Sequence, residues 1–152
     1  MTIKDFKPDW NFVRGKTLEF LNSVPDENMT WKPNDELGTF GMQVRHIIVS
    51  QGAYISGLQS GKIDFSKKDF EPEWEKNKER ALAKLKKIDE ELFKILDTIS
   101  EDKEILFVDG IIGEKRIPAS TVLDYILQHE IYHQGIFTTY GRLAGLGKFR
   151  FM

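Results

Sequence analysis

Residues 118–145 read PASTVLDYILQHEIYHQGIFTTYGRLAG, and the spacing of their apolar positions decides the fold. Val122, Ile126, Ile136, Tyr140 and Leu143 recur in register with one face of an α-helix. At about 100° per residue they all fall within roughly 60° of His129, while Asp124, Gln128 and Arg142 fall on the far side. Thr121 and Asp124 stand at capping-box spacing near the start, and Gly145 is a natural stop. A helix from near Pro118 to about Ala144 is expected.

Three further segments share this period. In the first, Trp10, Val13, Thr17, Phe20, Leu21 and Val24 recur at three- and four-residue steps, and Pro25 closes the pattern. The second runs from about Thr39 to Gln59 and is apolar over most of its circumference, through Phe40, Val44, Ile47, Tyr54, Ile55 and Leu58, before Gly61 and the stretch to Pro72 end it. Its solvent stripe is placed at Arg45, Ser56 and Gln59. The third carries Trp74, Ala81, Leu85, Ile88, Leu92, Ile95 and Ile99, with the charge run Lys84 to Glu91 as a solvated face. Asp109-Gly110 between apolar runs signals one short β-hairpin before the last helix. The fold class expected is therefore all-α, a four-helix bundle. Connections of about a dozen residues or more exceed the roughly 2–8 of simple up-and-down bundles, so a crossover connection is expected.

The chain of 152 residues suits one domain spanning 1–152. Its 22 Lys and Arg against 24 Asp and Glu leave a formal charge of −2, which offers no footprint for a phosphate backbone. Nucleic acid is disfavoured as a partner. Cysteine is absent, which excludes disulfides, thiolate nucleophiles and Cys-ligated metal. The start, MTIKDFKPDW, lacks the apolar run of a signal peptide, and no window approaches the ~18 apolar residues of a membrane span. No membrane association and a cytoplasmic location are expected.

Only three histidines occur, His46, His129 and His133. The last two stand one turn apart on a single helix face that points inward, able to bind one metal ion. His46 lies on the second helix, away from its solvent stripe. Above it comes a column of small residues, Ser50, Ala53 and Gly57, which allows close helix approach or leaves a cavity. Buried rings without a metal would need separate partners. A third inward ring completes a facial three-nitrogen set with open positions for water or substrate. Because ligating rings must be unprotonated, metal retention is expected to fall as pH drops through about 6.5.

Residues 129–133, HEIYH, also match H-E-x-x-H, in which two His bind zinc and the Glu is general base. That reading gives Glu130 the water-activating role. Against it, Gly and His are absent at the downstream metzincin positions, and no strand-built peptide cleft is evident. The wheel sets Glu130 near the edge of the apolar face, a boundary carboxylate. Tyr132 and Gln134 are further weak catalytic candidates; Tyr54 and Tyr140 could also orient a substrate. Trp10, Trp31 and Trp74 are read as core.

Across WKP at 31–33, TFGMQVRHI at 39–47 and PASTVLDYILQHEIYHQGIFTTYGRLAGLG at 118–147, the chain resembles the DinB-like (DinB/YfiT) superfamily over nearly its whole length. The resemblance implies a four-helix bundle with crossover topology, and a divalent metal, zinc or nickel most often, held by His46, His129 and His133 in a pocket at one end. It also implies a small-molecule substrate and, in many relatives, a homodimer. Some characterised relatives are S-transferases using bacillithiol or mycothiol. The family often follows its second ligand of the pair with Arg-Gly-Gln, where this chain has Gln134, Gly135 and Ile136. The reading that follows is a metal-dependent enzyme activating a small thiol or water. Its competitor is a non-enzymatic ion clamping two helices, which would need a fourth protein ligand, and that ligand would have to be a carboxylate.

Overall fold

The computed structural model describes residues 1–66, 71–109, 111 and 113–147. Among these, five α-helices are present: α1 (Ile3–Ser23), α2 (Phe40–Ser60), a single-turn α3 (Glu73–Lys76), α4 (Lys78–Leu96) and α5 (Ala119–Leu143). The four long ones form the expected bundle. Helix α1 starts before its apolar periodicity does, because Thr2 caps it by accepting a hydrogen bond from the Asp5 amide at 3.1 Å. Phe6, one turn before Trp10, is fully buried and stacks on it. Thr39 caps α2 through the Met42 amide at 3.1 Å, and Gly61 ends it in the left-handed region at φ 85°.

The third segment is not one helix. Asn77 is extended (φ −118°, ψ 101°), and its side chain accepts from the Arg80 amide at 3.0 Å. Asn competes in this way for backbone donors, so the chain breaks there and α4 restarts from a cap. Nor does the capping box at Thr121 form. Both Thr121 and Asp124 lie inside α5, and its first amides instead donate to carbonyls downstream of α4: Ala119 to Lys103 at 2.9 Å and Ser120 to Glu101 at 3.0 Å. At its other end Leu146 N–H bonds Gly141 O at 2.9 Å and Gly145 N–H bonds Arg142 O at 3.2 Å, the paired bonds of a Schellman stop. Leu143, in that final turn, is 62% exposed rather than inward.

The hairpin joins β2 (Glu104–Asp109) to β3 (Gly113–Pro118), antiparallel with Phe107 opposite Lys115. Gly110, part of the expected turn signal, lies outside the described residues. A strand that periodicity did not predict, β1 (Lys62–Asp64), adds in parallel to β2. Three residues are too few to carry a period.

Helix α1 packs on α4 and α5, and α2 also packs on α4 and α5. The chain-consecutive α1 and α2 thus face each other across the bundle, which is the crossover that the long connections require. Phe137 of α5 stacks on both Phe20 of α1 and Phe40 of α2, which meet each other tilted. Trp10 and Trp74 are buried, and Trp31 packs partly buried against Phe40. Among the described residues no helix is long and apolar enough to cross a membrane.

Candidate metal centre

The docking of α2 on α5 brings the three imidazoles together. Ring centroids stand 5.3 Å apart for His46–His129, 4.9 Å for His46–His133 and 4.6 Å for His129–His133. One nitrogen from each falls within 4.8 Å of the other two. The Nε2 atoms of His46 and His129 are 3.3 Å apart, close to the about 3.4 Å between two imidazole nitrogens sharing a tetrahedral zinc.

The polar bookkeeping supports the same fit. His133 is 3% exposed, yet neither of its ring nitrogens has a hydrogen-bond partner, and Nδ1 of His129 is likewise buried without one. Buried polar atoms are normally satisfied, so the donor set is suited to a ligand that accepts nitrogen lone pairs. Burial, reinforced by the neighbouring His46, lowers the pKa of His129 to about 4. Burial again, then His129 and His46, lowers that of His133 to about 3. Both rings are neutral lone-pair donors well below pH 6.5. The proton competition expected near 6.5 is therefore displaced downward for these two.

His46 departs from its wheel position, being the exposed member of the three. It forms part of the wall of an open cleft of about 690 Å³, shared with His129, His133, Met42, Tyr132 and Ile136. A smaller cavity of about 300 Å³ lies against the same two rings, His46 and His129. The small-residue column has divided its two options. Ser50 and Ala53 border this cavity, whereas a Cβ on Gly57 would come within 2.2 Å of Ile63 Cγ1, so Gly57 serves close approach to β1.

Glu130 is not at a boundary. It is fully buried, accepting from Arg14 Nη1 at 2.9 Å and from Gln51 Nε2 at 2.6 Å. Arg14 also bonds Gln51 Oε1 and, through Nε, Asp89 at 3.2 Å. Asp89 receives the Trp10 indole N–H at 3.1 Å as well. Burial raises the Asp89 pKa against the opposing pull of Arg14, so one member of the supposedly solvated charge run is drawn inward. Both oxygens of Glu130 are committed to this network rather than to the imidazoles. Gln134 likewise turns to α1, donating to Val13 O at 2.7 Å and Thr17 Oγ1 at 3.0 Å.

Tyr132 is 66% exposed at the cleft, edge-on to His133. The Tyr140 hydroxyl donates to Leu37 O at 2.6 Å, fixing the cleft wall. Tyr54 packs edge-on to His129. Arg14, Gln51 and Asp89 were missed by the sequence reading. Arg14 had a signal, since it falls four after Trp10 and three before Thr17, on the apolar stripe of α1.

A family model described as the DinB family matches residues 4–151. Among solved structures, the chain is similar to a DinB-like protein, YjoA, from Bacillus subtilis (TM-score 0.73, 21% identity, covering 96% of each chain). It is also similar to a DinB-like protein from Bacillus cereus (TM-score 0.73, 19% identity, 98% of this chain and 97% of that one). A third similar structure is TT2238, described as a four-helix bundle protein (TM-score 0.70, 14% identity, 91% and 99%). No curated protein matches the sequence.

Proposed function

The chain belongs to the DinB family, and from that premise we propose that it is a metal-dependent enzyme in which His46, His129 and His133 hold one divalent ion, zinc or nickel, and a small thiol or water is activated. The observation that carries this reading is the convergence of three imidazole nitrogens within 4.8 Å, two of the rings kept neutral by burial. An ion held by three neutral ligands retains its full charge and acidifies a coordinated thiol or water, with water brought to a pKa of about 7 at three-His zinc.

The chain's own residues supply the rest. Imidazoles from α2 and α5 would hold the ion, and Tyr140 anchors Leu37, which lines the same cleft. Tyr132, exposed beside His133, is placed to touch an incoming substrate. Among the described residues no carboxylate joins the three rings, which favours an exchangeable position over a closed helix clamp. The engagement of Glu130 by Arg14 and Gln51 favours this reading over a metallohydrolase with Glu130 as base.

Protein purified without chelator is expected to carry about one divalent ion per chain, and His129→Ala to lose it. Metal analysis giving equal stoichiometry in both would overturn the proposal.

A further inference from the structure

We propose that the 300 Å³ cavity beside His46 and His129 is a second subsite, separate from the main cleft, that takes an uncharged aromatic or branched aliphatic group. The inference rests on the metal-centre reading for its role, but the cavity stands on its own geometry. Among the described residues the two spaces share only His46 and His129 in their linings, so these imidazoles form a party wall. A ligand in either space lies against the same two rings.

The linings differ in chemistry. The main cleft is bordered by Glu36 and Arg45. Among the described residues no Asp, Glu, Lys or Arg borders the smaller cavity, whose remaining walls there are Val49, Ser50, Ala53, Tyr54 and Phe65. Tyr54 and Phe65 meet edge to face with centroids 5.3 Å apart, and Tyr54 is edge-on to His129 at 6.3 Å. The Ser50 hydroxyl lies 3.4 Å from His46 Nε2, a polar contact already made within the wall. A carboxylate or ammonium entering here would shed water with no opposite charge from the described lining residues to meet it. An uncharged ring would gain aromatic contact at no such cost.

The space follows from α2. Ser50 and Ala53 stand four and seven residues after His46, so two small side chains continue the same helix face one and two turns on. At the next step, Gly57, the gap is filled by Ile63. A volume of this size accommodates a substituted benzene ring, since an engineered cavity of about 150 Å³ holds benzene itself. Two substrates could then meet at one ion, a polar one through the cleft and an apolar one through this subsite.

The test is fluorine NMR with 4-fluorobenzyl alcohol as probe and protonated 4-fluorobenzylamine as its charged counterpart, on both metal-loaded and chelator-treated protein. The alcohol is expected to bind at least tenfold more tightly than the amine. Ala53→Leu, which fills the cavity, should weaken the alcohol at least tenfold while the ion content stays unchanged. Ala53→Val gives the same comparison with a smaller intrusion should the larger side chain prevent folding. Equal binding of alcohol and amine, or binding indifferent to both substitutions, would overturn the subsite. Wild-type protein that binds the alcohol as described but holds no ion would refute the metal reading and leave the subsite standing.

Discussion

An imidazole in water takes up its proton near pH 6.5, and burial that no carboxylate offsets moves that point down. At this centre the nearest charges are other imidazoles, so burial and mutual repulsion act together, holding His129 at about 4 and His133 at about 3. In the unfolded chain both rings titrate near 6.5. Between that pH and about 4 the unfolded state therefore binds more protons than the folded one, and stability falls as pH is lowered. The contribution is complete above about 6.5 and is lost towards the folded-state values. In chelator-treated protein, the ring signals of two of the three histidines should stay in place from pH 7 to 5 in an NMR titration. Urea unfolding should weaken over the same range, less steeply in His133→Gln. Three histidines titrating together near 6.5 would contradict this account. What the sequence shows at this scale is angle, not depth. The spacing of His129 and His133 places both on one face, but Glu130 is buried because Arg14 of another helix meets it there, and no pattern within α5 contains Arg14.

Helices meet in this protein through one buried polar knot as well as through apolar packing. Glu130 of α5 receives Arg14 of α1 and Gln51 of α2, and Arg14 passes the connection to Asp89 of α4. Removing one partner of a buried ion pair leaves the other charge uncompensated, at a cost of roughly 3–5 kcal/mol. Glu130→Ala is expected to lose stability on that scale in denaturant unfolding, and Glu130→Gln less, because an amide oxygen still accepts from one donor. Since both Glu130 oxygens bond Arg14 and Gln51 rather than the imidazoles, Glu130→Gln should keep its ion. A Glu130→Ala variant within about 1 kcal/mol of wild type would show the knot to be energetically idle. Element boundaries were legible where a side chain or glycine marks them chemically. Thr39 and Gly61 bound α2 as the sequence suggests, and a hairpin forms at the Asp109-Gly110 signal, although Asp109 is itself the last residue of β2, opposite Gly113. They were illegible where the deciding partner is remote or the element short. Asn77 interrupts a helical period that its neighbours sustain, and β1 is fixed by pairing with a strand more than forty residues away.

The molecule's topology would give an ion held at the proposed centre a role in stability as well. His46 and His129 are 83 positions apart and sit on helices that the chain joins by way of β1, α3, α4 and the hairpin. An ion gripped by both cross-links the two ends of that long excursion and binds the folded state alone. Long connections made a crossover legible in the sequence, but connection length limits reach without naming a destination, so the diagonal placement of α1 and α2 emerged only from packing. A ligand specific to the native state raises stability by about 2.7 kcal/mol at one hundred times its Kd. At about 2–4 °C per kcal/mol for a domain of this size, chelation should lower Tm by roughly 5–10 °C. The drop should vanish in His46→Ala, which leaves the α5 pair intact but removes the α2 anchor. Calorimetry on wild type and variant, each with and without chelator, separates the cases. Loss of the chelator effect would tie stability to the α2–α5 link. A persistent effect in His46→Ala would mean that the α5 pair holds the ion by itself, and the convergence of three rings would then have no energetic consequence for the bundle.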